Sequence, residues 1–168
     1  MLEDRIIHIN LGRVTLTVLI CCALIISFLG FDIFIAKVRD VKRRADMEAV
    51  AKALDLYHLK YGSYPDSGDD WQGWDLSYSP AGEQADFLKI LKEEEFLEKA
   101  ARDSANNSFY HYRYQKYKAG SFGCAGSFYI LQISSFELVA SDTGKGECPG
   151  FDWAKLTPNG YTIQGFDQ

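Results

Sequence analysis

One uninterrupted apolar stretch constrains this chain more than any other feature. Residues 14–31, VTLTVLICCALIISFLGF, carry no charged side chain, and the stretch reaches Ala36 if Asp32 lies near an interface. About 20 helical residues span a bilayer core. A buried core helix rarely stays apolar on every face for so long, and a secretory signal has a shorter apolar run. The sequence therefore predicts one transmembrane helix over 14–36, preceded by a short N-terminal tail, residues 1–13.

The residues after this stretch continue a helical pattern and then end it. Residues 37–61 contain no Gly and no Pro. One helix face collects apolar residues at alternating spacings of three and four, which are Met47, Val50, Leu54, Tyr57 and Tyr61. Gly62 suits the left-handed position past a helix end, and Pro65 prevents a restart nearby. We expect an amphipathic helix over 37–61 that packs on a globular head.

The rest of the chain reads as a loop, a short helix and then strands. Residues 62–82 are rich in turn formers, and 83–100 hold a short helical pattern. The region 101–168 alternates as strands do, at 110–115, 128–134, 136–141 and 161–166. Such close spacing leaves no room for parallel crossovers. The predicted fold class is α+β: a long N-terminal helix, transmembrane and then amphipathic, packed on a small antiparallel β-sheet head.

The cysteines and the basic residues give opposite indications about topology. Cys124 and Cys148 lie in glycine-rich, loop-like sequence without metal-ligand spacing, so a disulfide is their simplest use and two free thiols are the alternative. A disulfide requires an oxidising compartment. Lys and Arg are more numerous after the apolar stretch than before it, which by the positive-inside rule places the carboxyl side in the cytoplasm.

No catalytic constellation is apparent, so the sequence predicts a protein that is not an enzyme. His8, His58 and His111 lie in a tail, a helix and a strand, without nucleophile or metal spacing around them. A net charge of −5 argues against a nucleic-acid partner. No cofactor is expected, although four loop carboxylates are weak calcium candidates, namely Asp66, Asp69, Asp70 and Asp142.

An aromatic group in the loop allows two interpretations. Trp71, Trp74 and Tyr78 either pin the loop to the head or form a patch that faces a partner. Packing is the favoured interpretation, because large aromatic side chains in a small domain usually belong to its core.

Two segments carry a resemblance to a known family. Residues 43–65, RRADMEAVAKALDLYHLKYGSYP, and residues 87–114, FLKILKEEEFLEKAARDSANNSFYHYRY, resemble the type IV pilin superfamily. Within that superfamily the chain is most similar to the pseudopilin-like proteins of type II secretion systems. Arg13 stands where the family has glycine before its cleavage site, and Val18 replaces the glutamate inside the span. These departures suggest a divergent member that stays anchored.

The resemblance implies a function, a topology and a set of contacts. It implies a structural subunit anchored in the inner membrane by a single span, with the tail of residues 1–13 in the cytoplasm and the C-terminal head outside it, where Cys124 and Cys148 would pair. The subunit would serve a secretion pseudopilus or a type IV pilus-like filament. Its partners would be the lipid bilayer, copies of itself or other pilin-like subunits, and an assembly platform. The alternative is a membrane-tethered binding module that does not polymerise.

The contacts expected from this layout fall into two groups. The first comprises positions that pack helices in the membrane, Val14, Leu16, Leu19, Gly30 and Ala36. The second comprises positions that pack the helix on the head, Val50, Leu54, Tyr57, Tyr61 and Pro65.

Overall fold

The computed structural model describes residues 11–68, 70–79, 87–140 and 142–167. Within its first helix the side chains at 11–13 and 27–29 are not described. The chain divides into two compact units, Met1–Ala36 and Lys37–Gln168, and the second is the head. The fold class is α+β, which confirms the prediction.

The helix α1 covers Leu11–Tyr61 and contains both the apolar stretch and the amphipathic segment. It ends where the sequence predicts. Gly62 has a φ of +74°, a left-handed conformation that costs a glycine little, and its N–H donates to the carbonyl of His58 at 2.7 Å. The carbonyl of Pro65 then accepts a hydrogen bond from the buried Tyr114 hydroxyl at 2.7 Å. This bond fixes the point at which the chain leaves the helix and enters the head.

The head is built on a four-stranded antiparallel sheet beside a two-stranded hairpin. Its strands are β1 (Asp75–Leu76), β2 (Tyr112–Tyr117), β3 (Phe128–Ile133), β4 (Glu147–Cys148), β5 (Phe151–Asp152) and β6 (Tyr161–Phe166). The sheet has the order β1–β2–β3–β6, and β4 pairs with β5. The strands predicted at 128–134 and 161–166 therefore form, whereas β1 and the hairpin arise in sequence that reads as loop.

The central strand β3 is buried on both of its faces. Tyr129, Leu131 and Ile133 point to one side and pack with α1, where the fully buried helix residues are Met47, Val50, Ala53 and Leu54. On the other side Phe128 and Ile130 join Trp74, Trp153 and the paired cysteines. The run FYILQI, which is apolar except for Gln132, suits a strand that is covered twice. The sheet thus has two apolar faces at its centre, where the alternating pattern alone suggests one.

The predicted head-packing residues differ in their burial. Val50, Leu54 and Pro65 are buried, and Tyr57 is half-buried. Tyr61 does not pack under the sheet, since 45% of it is exposed. It is the last residue of α1, its ring lies 4.5 Å from that of Tyr57, and its hydroxyl donates to Glu94. The helix face turns outward at this last position.

The second helix is shorter than the sequence predicts. The helix α2 covers only Lys89–Glu93, so the prediction of a helix through residue 100 is wrong, while 80–86 lie outside the described residues. Glu95 adopts a left-handed φ of 61°, and the N–H groups of Phe96 and Leu97 both return to the carbonyl of Leu91. This reversal brings the two apolar residues back onto the core, where they are partly buried.

The strand predicted at 136–141 is wrong for its described residues, 136–140. Carboxylate oxygens of Asp40 accept the N–H groups of Glu137 and Leu138 at 3.0 and 2.9 Å. The N–H of Phe136 donates to the carbonyl of Asn159, and that of Ala140 to the Asn159 side chain. A side chain of α1 and a turn residue thus take the hydrogen bonds that a neighbouring strand would need.

Candidate functional site: the exposed helix and the ionic cluster of the head

The apolar part of α1 presents its side chains to its surroundings. Val14, Leu16 and Leu19 are between 45% and 66% exposed, and no atom comes within 4 Å of where a Cβ on Gly30 would lie. Ala36 is buried, so it is not free to contact another helix as predicted. Among the described residues one helix is long and apolar enough to cross a membrane, and it lies near the N-terminus.

The four cysteines divide between these two environments. Cys21 and Cys22 are free and exposed on the apolar part of α1. Cys124 and Cys148 form a disulfide in the head, with their Cα atoms 5.1 Å apart. The disulfide lies in the second core cluster beside Trp153 and Phe128, and it ties the loop between β2 and β3 to the hairpin.

An ionic cluster that the sequence does not reveal connects α1 to two distant segments. Arg43 is only 1% exposed, although it carries a charge. Its guanidinium donates to Asp103 through Nε, lies 2.6 Å from Asp40 and 2.8 Å from Glu137, and stacks over the ring of Tyr110 at 4.7 Å. One side chain thereby joins three parts of the head.

The cluster contains more carboxylates than cations. Arg39 forms a second pair with Glu137, so two guanidinium groups serve the carboxylates of Asp40, Asp103 and Glu137. Hydrogen bonds from Arg39 and Arg43 lower the pKa of Glu137 against a smaller effect of burial. Burial raises the pKa of Asp103, but the bonds from Arg43 and the backbone outweigh it and the net pKa is lowered. Asp103 and Glu137 are therefore charged at neutral pH.

The cluster acts as a clamp on the segment Phe136–Ala140. Asp40 binds Arg43 with one oxygen and uses both oxygens to accept backbone N–H groups of that segment. The pairing of Asp40 with Arg43 at a spacing of three residues is the only part that the sequence could have indicated. The partners Asp103 and Glu137 lie 60 and 94 residues from Arg43, and no local pattern connects them.

The carboxylates considered as calcium ligands lie apart and have other partners. Asp66 binds Lys116 at 3.0 Å, and Asp70 accepts the N–H of Leu76 at 2.8 Å. Asp142 binds Arg44 and accepts the N–H of Gly144. Asp69 lies outside the described residues. Within the part of the chain that the structure describes, no three metal-ligating side chains come together.

The aromatic residues of the loop have separate positions. Trp74 is 7% exposed and lies under the guanidinium of Arg113, at 4.6 Å from its ring centre. Tyr78 is half-buried against His111, with ring centres 4.6 Å apart. Trp71 is 52% exposed. Trp74 and Tyr78 therefore pin the loop, and Trp71 alone is open to a partner.

No protein-family model, curated protein or solved structure matches this chain. The layout itself is informative. A long apolar N-terminal helix, a small antiparallel sheet and a disulfide are together compatible with a pilin-like fold.

Proposed function

We propose that this protein is a membrane-anchored structural subunit of the pilin and pseudopilin kind, with a role in a secretion pseudopilus or a type IV pilus-like filament. Its apolar helix segment would lie in the inner membrane and pack side by side with the same segment of other subunits. Its head would remain outside the cytoplasm. The ionic cluster would serve to hold the head firmly to its own helix.

One observation carries this proposal. The same helix, α1, supplies buried core residues to the head and, in residues 14–26 and 30–34, a largely apolar surface that the chain leaves uncovered. Exposed apolar area costs about 25 cal/mol per Å² in water, so a segment of this length requires lipid or apolar helices around it. Small residues such as Gly30 favour close helix contacts in a bilayer.

The disulfide supports an extracytoplasmic head. A Cys124–Cys148 bond persists in oxidising compartments, where closing this loop stabilises the fold by roughly 3 kcal/mol. The count of Lys and Arg after the span argues for the opposite orientation, but large domains translocate despite flanking charge. Labelling intact cells with a membrane-impermeant thiol reagent, with and without reductant, tests this. We expect head thiols that react only after reduction.

Assembly can be tested with the native thiols of the helix. Cys21 and Cys22 are exposed and adjacent, so they sample neighbouring directions around α1. Mild oxidation of native membranes should convert the full-length protein into dimers linked through these cysteines, or into mixed adducts with other pilin-like chains. The Cys21→Ser/Cys22→Ser variant is the control and should remain uncrosslinked. Strictly monomeric wild-type protein would contradict assembly.

The exposure of Trp71 favours a second candidate, a membrane-tethered binding module that does not polymerise. Its indole is half exposed while Trp74 is buried in the same loop. If Trp71 binds a partner, Trp71→Ala should abolish co-purification of that partner without lowering the melting temperature. Trp74→Ala serves as the comparison, because the loss of a buried indole should reduce stability by about 3–5 kcal/mol.

A further inference from the structure

A groove lies in the head along the first turns of α1 beyond residue 36. It encloses about 350 Å³ between the helix and the clamped segment Phe136–Ala140. Its lining is largely apolar and includes Val41, Ala45, Phe136, Leu138 and Val139. The charged residues of the lining are two cations and two carboxylates, namely Lys37, Arg44, Asp40 and Glu48.

The rim of this groove exposes apolar side chains to an unusual degree. Val139 is 92% exposed at the tip of the segment, and Val38 and Val41 are 50% and 63% exposed on the helix. The tip is held in place, because Asp40 binds the N–H groups of Glu137 and Leu138 just before it. A fixed loop that presents a valine outward is a typical contact surface.

The groove begins where the apolar segment of α1 ends. Lys37 directly follows the apolar segment, and Val41 lies only about 6 Å further along a helix. The headgroup layer of a bilayer is about 5–8 Å thick. If the apolar segment is anchored in a membrane, as proposed above, the groove stays close to headgroup depth whatever the orientation of the head.

The charges at the end of the groove nearest the apolar segment favour an anionic lipid, whereas Glu48 lines the groove about 17 Å further along the helix. Lys37 is exposed, and among the described residues it has no carboxylate partner. Arg44 is already bound to Asp142 and stacked over Tyr161 at 4.4 Å, while Asp40 is bound to Arg43. A lipid phosphate would therefore meet a free ammonium group beside an apolar tip, and a lysine near an anionic surface adds about 1 kcal/mol of attraction.

We infer that the groove and the Val139 tip form a lipid-binding surface, in which Val139 inserts at the headgroup boundary and Lys37 binds the phosphate of an anionic phospholipid. This inference rests on the proposed membrane anchorage. A second copy of the chain is the competing occupant, and the experiment below distinguishes it.

The test places a spin label at position 139 of the full-length protein in vesicles of phosphatidylglycerol and phosphatidylcholine. The variant is Val139→Cys in a Cys21→Ser/Cys22→Ser background. Leu59→Cys is the matched control, because Leu59 is 80% exposed on α1 about 33 Å beyond Lys37. We expect the label at 139 to be accessible to oxygen and protected from a water-soluble nickel complex, and the label at 59 to be accessible to nickel.

The contribution of Lys37 is tested by varying the phosphatidylglycerol fraction. Protection at 139 should increase with this fraction, and Lys37→Gln should weaken the docking equilibrium roughly fivefold. Lys52→Gln, which changes an exposed lysine on the same helix, should leave it unchanged.

Other results would overturn the inference. A label at 139 that is protected from both oxygen and nickel would lie against a second copy of the chain. A label that is accessible to nickel in every lipid mixture would lie in water. Alkaline carbonate extraction separates the two proposals. If carbonate releases the chain from the vesicles, the anchorage and the inference both fail. If the chain stays anchored and the label is in water, only the inference fails.

Discussion

Arg43 joins distant parts of the head through one side chain. Its guanidinium is buried between Asp103, Asp40 and Glu137. Replacing Arg43 with Met should lower the free energy of unfolding by about 3–5 kcal/mol, because it leaves the buried carboxylate of Asp103 without its counter-charge. Urea denaturation of the full-length protein in detergent, followed by tryptophan fluorescence, measures this change.

The adjacent residue provides a matched control. Lys42 pairs with Asp46 at 2.6 Å, but the pair lies on the surface of the helix. Lys42→Met should therefore cost less than about 0.5 kcal/mol. Similar losses for the two variants would show that the burial of Arg43 does not contribute to stability.

His111 should make the head sensitive to mild acid. Burial lowers its pKa to about 4, and its Nδ1 lies 3.1 Å from the carbonyl of Asn107. Between pH 6.5 and 4 the unfolded chain binds a proton there that the folded chain does not. Stability is therefore complete above pH 6.5 and falls by up to about 3 kcal/mol as the pH decreases to 4. Denaturation curves across this range test the prediction.

The carboxylates of the ionic cluster provide an internal reference. The pKa values of Asp103 and Glu137 are lowered in the folded state, so their stabilisation is present above about pH 4 and is lost below it. His111→Asn should flatten the profile between pH 6.5 and 4 and retain the loss below pH 4. An unchanged profile in the upper range would assign that loss to another group.

The end of α2 shows how backbone conformation limits a short element. Glu95 has a φ of 61°, in the left-handed region that glycine adopts more readily. Glu95→Gly should raise the free energy of unfolding by a few tenths to about 1 kcal/mol. Glu93→Gly, inside α2, should lower it by about 1 kcal/mol, because glycine is a poor helix former. Thermal denaturation of both variants measures these changes. Melting temperatures that shift in the same direction for both would contradict this assignment.

The elements that the sequence predicts well are those whose pattern agrees with their burial. The runs that became β3 and β6 are largely apolar or alternating, and the two strands pair with each other in the sheet. The segment 136–140 also has a strand-like pattern. It does not form a strand, because two of its N–H groups donate to Asp40, almost one hundred residues away. The helix predicted through residue 100 ends early for a related reason. Phe96 and Leu97 fold back and pack on the core, which a continued helix would not allow.

At the scale of the whole molecule, the head should fold without the apolar segment. The buried residues of both core clusters all follow residue 46. A chain of residues 37–168 should be soluble without detergent, and its free energy of unfolding should match that of the full-length head within about 0.5 kcal/mol. Urea denaturation of the two proteins under oxidising conditions measures the difference.

The disulfide provides a second comparison between these two proteins. Reduction should lower the stability of each by roughly 3 kcal/mol, because it removes the same constraint on the unfolded chain. A truncated head that aggregates or unfolds with the disulfide intact would show that the first 36 residues contribute to the fold.

The sequence alone determined the long helix, its end at Gly62, the α+β class and the candidate membrane span, because each depends on local periodicity or on an uninterrupted apolar run. Tertiary structure decided the burial of Arg43 and the loss of the strand at 136–140. Both depend on contacts between residues 60 or more positions apart, and side-chain charge alone does not indicate which partners it will meet.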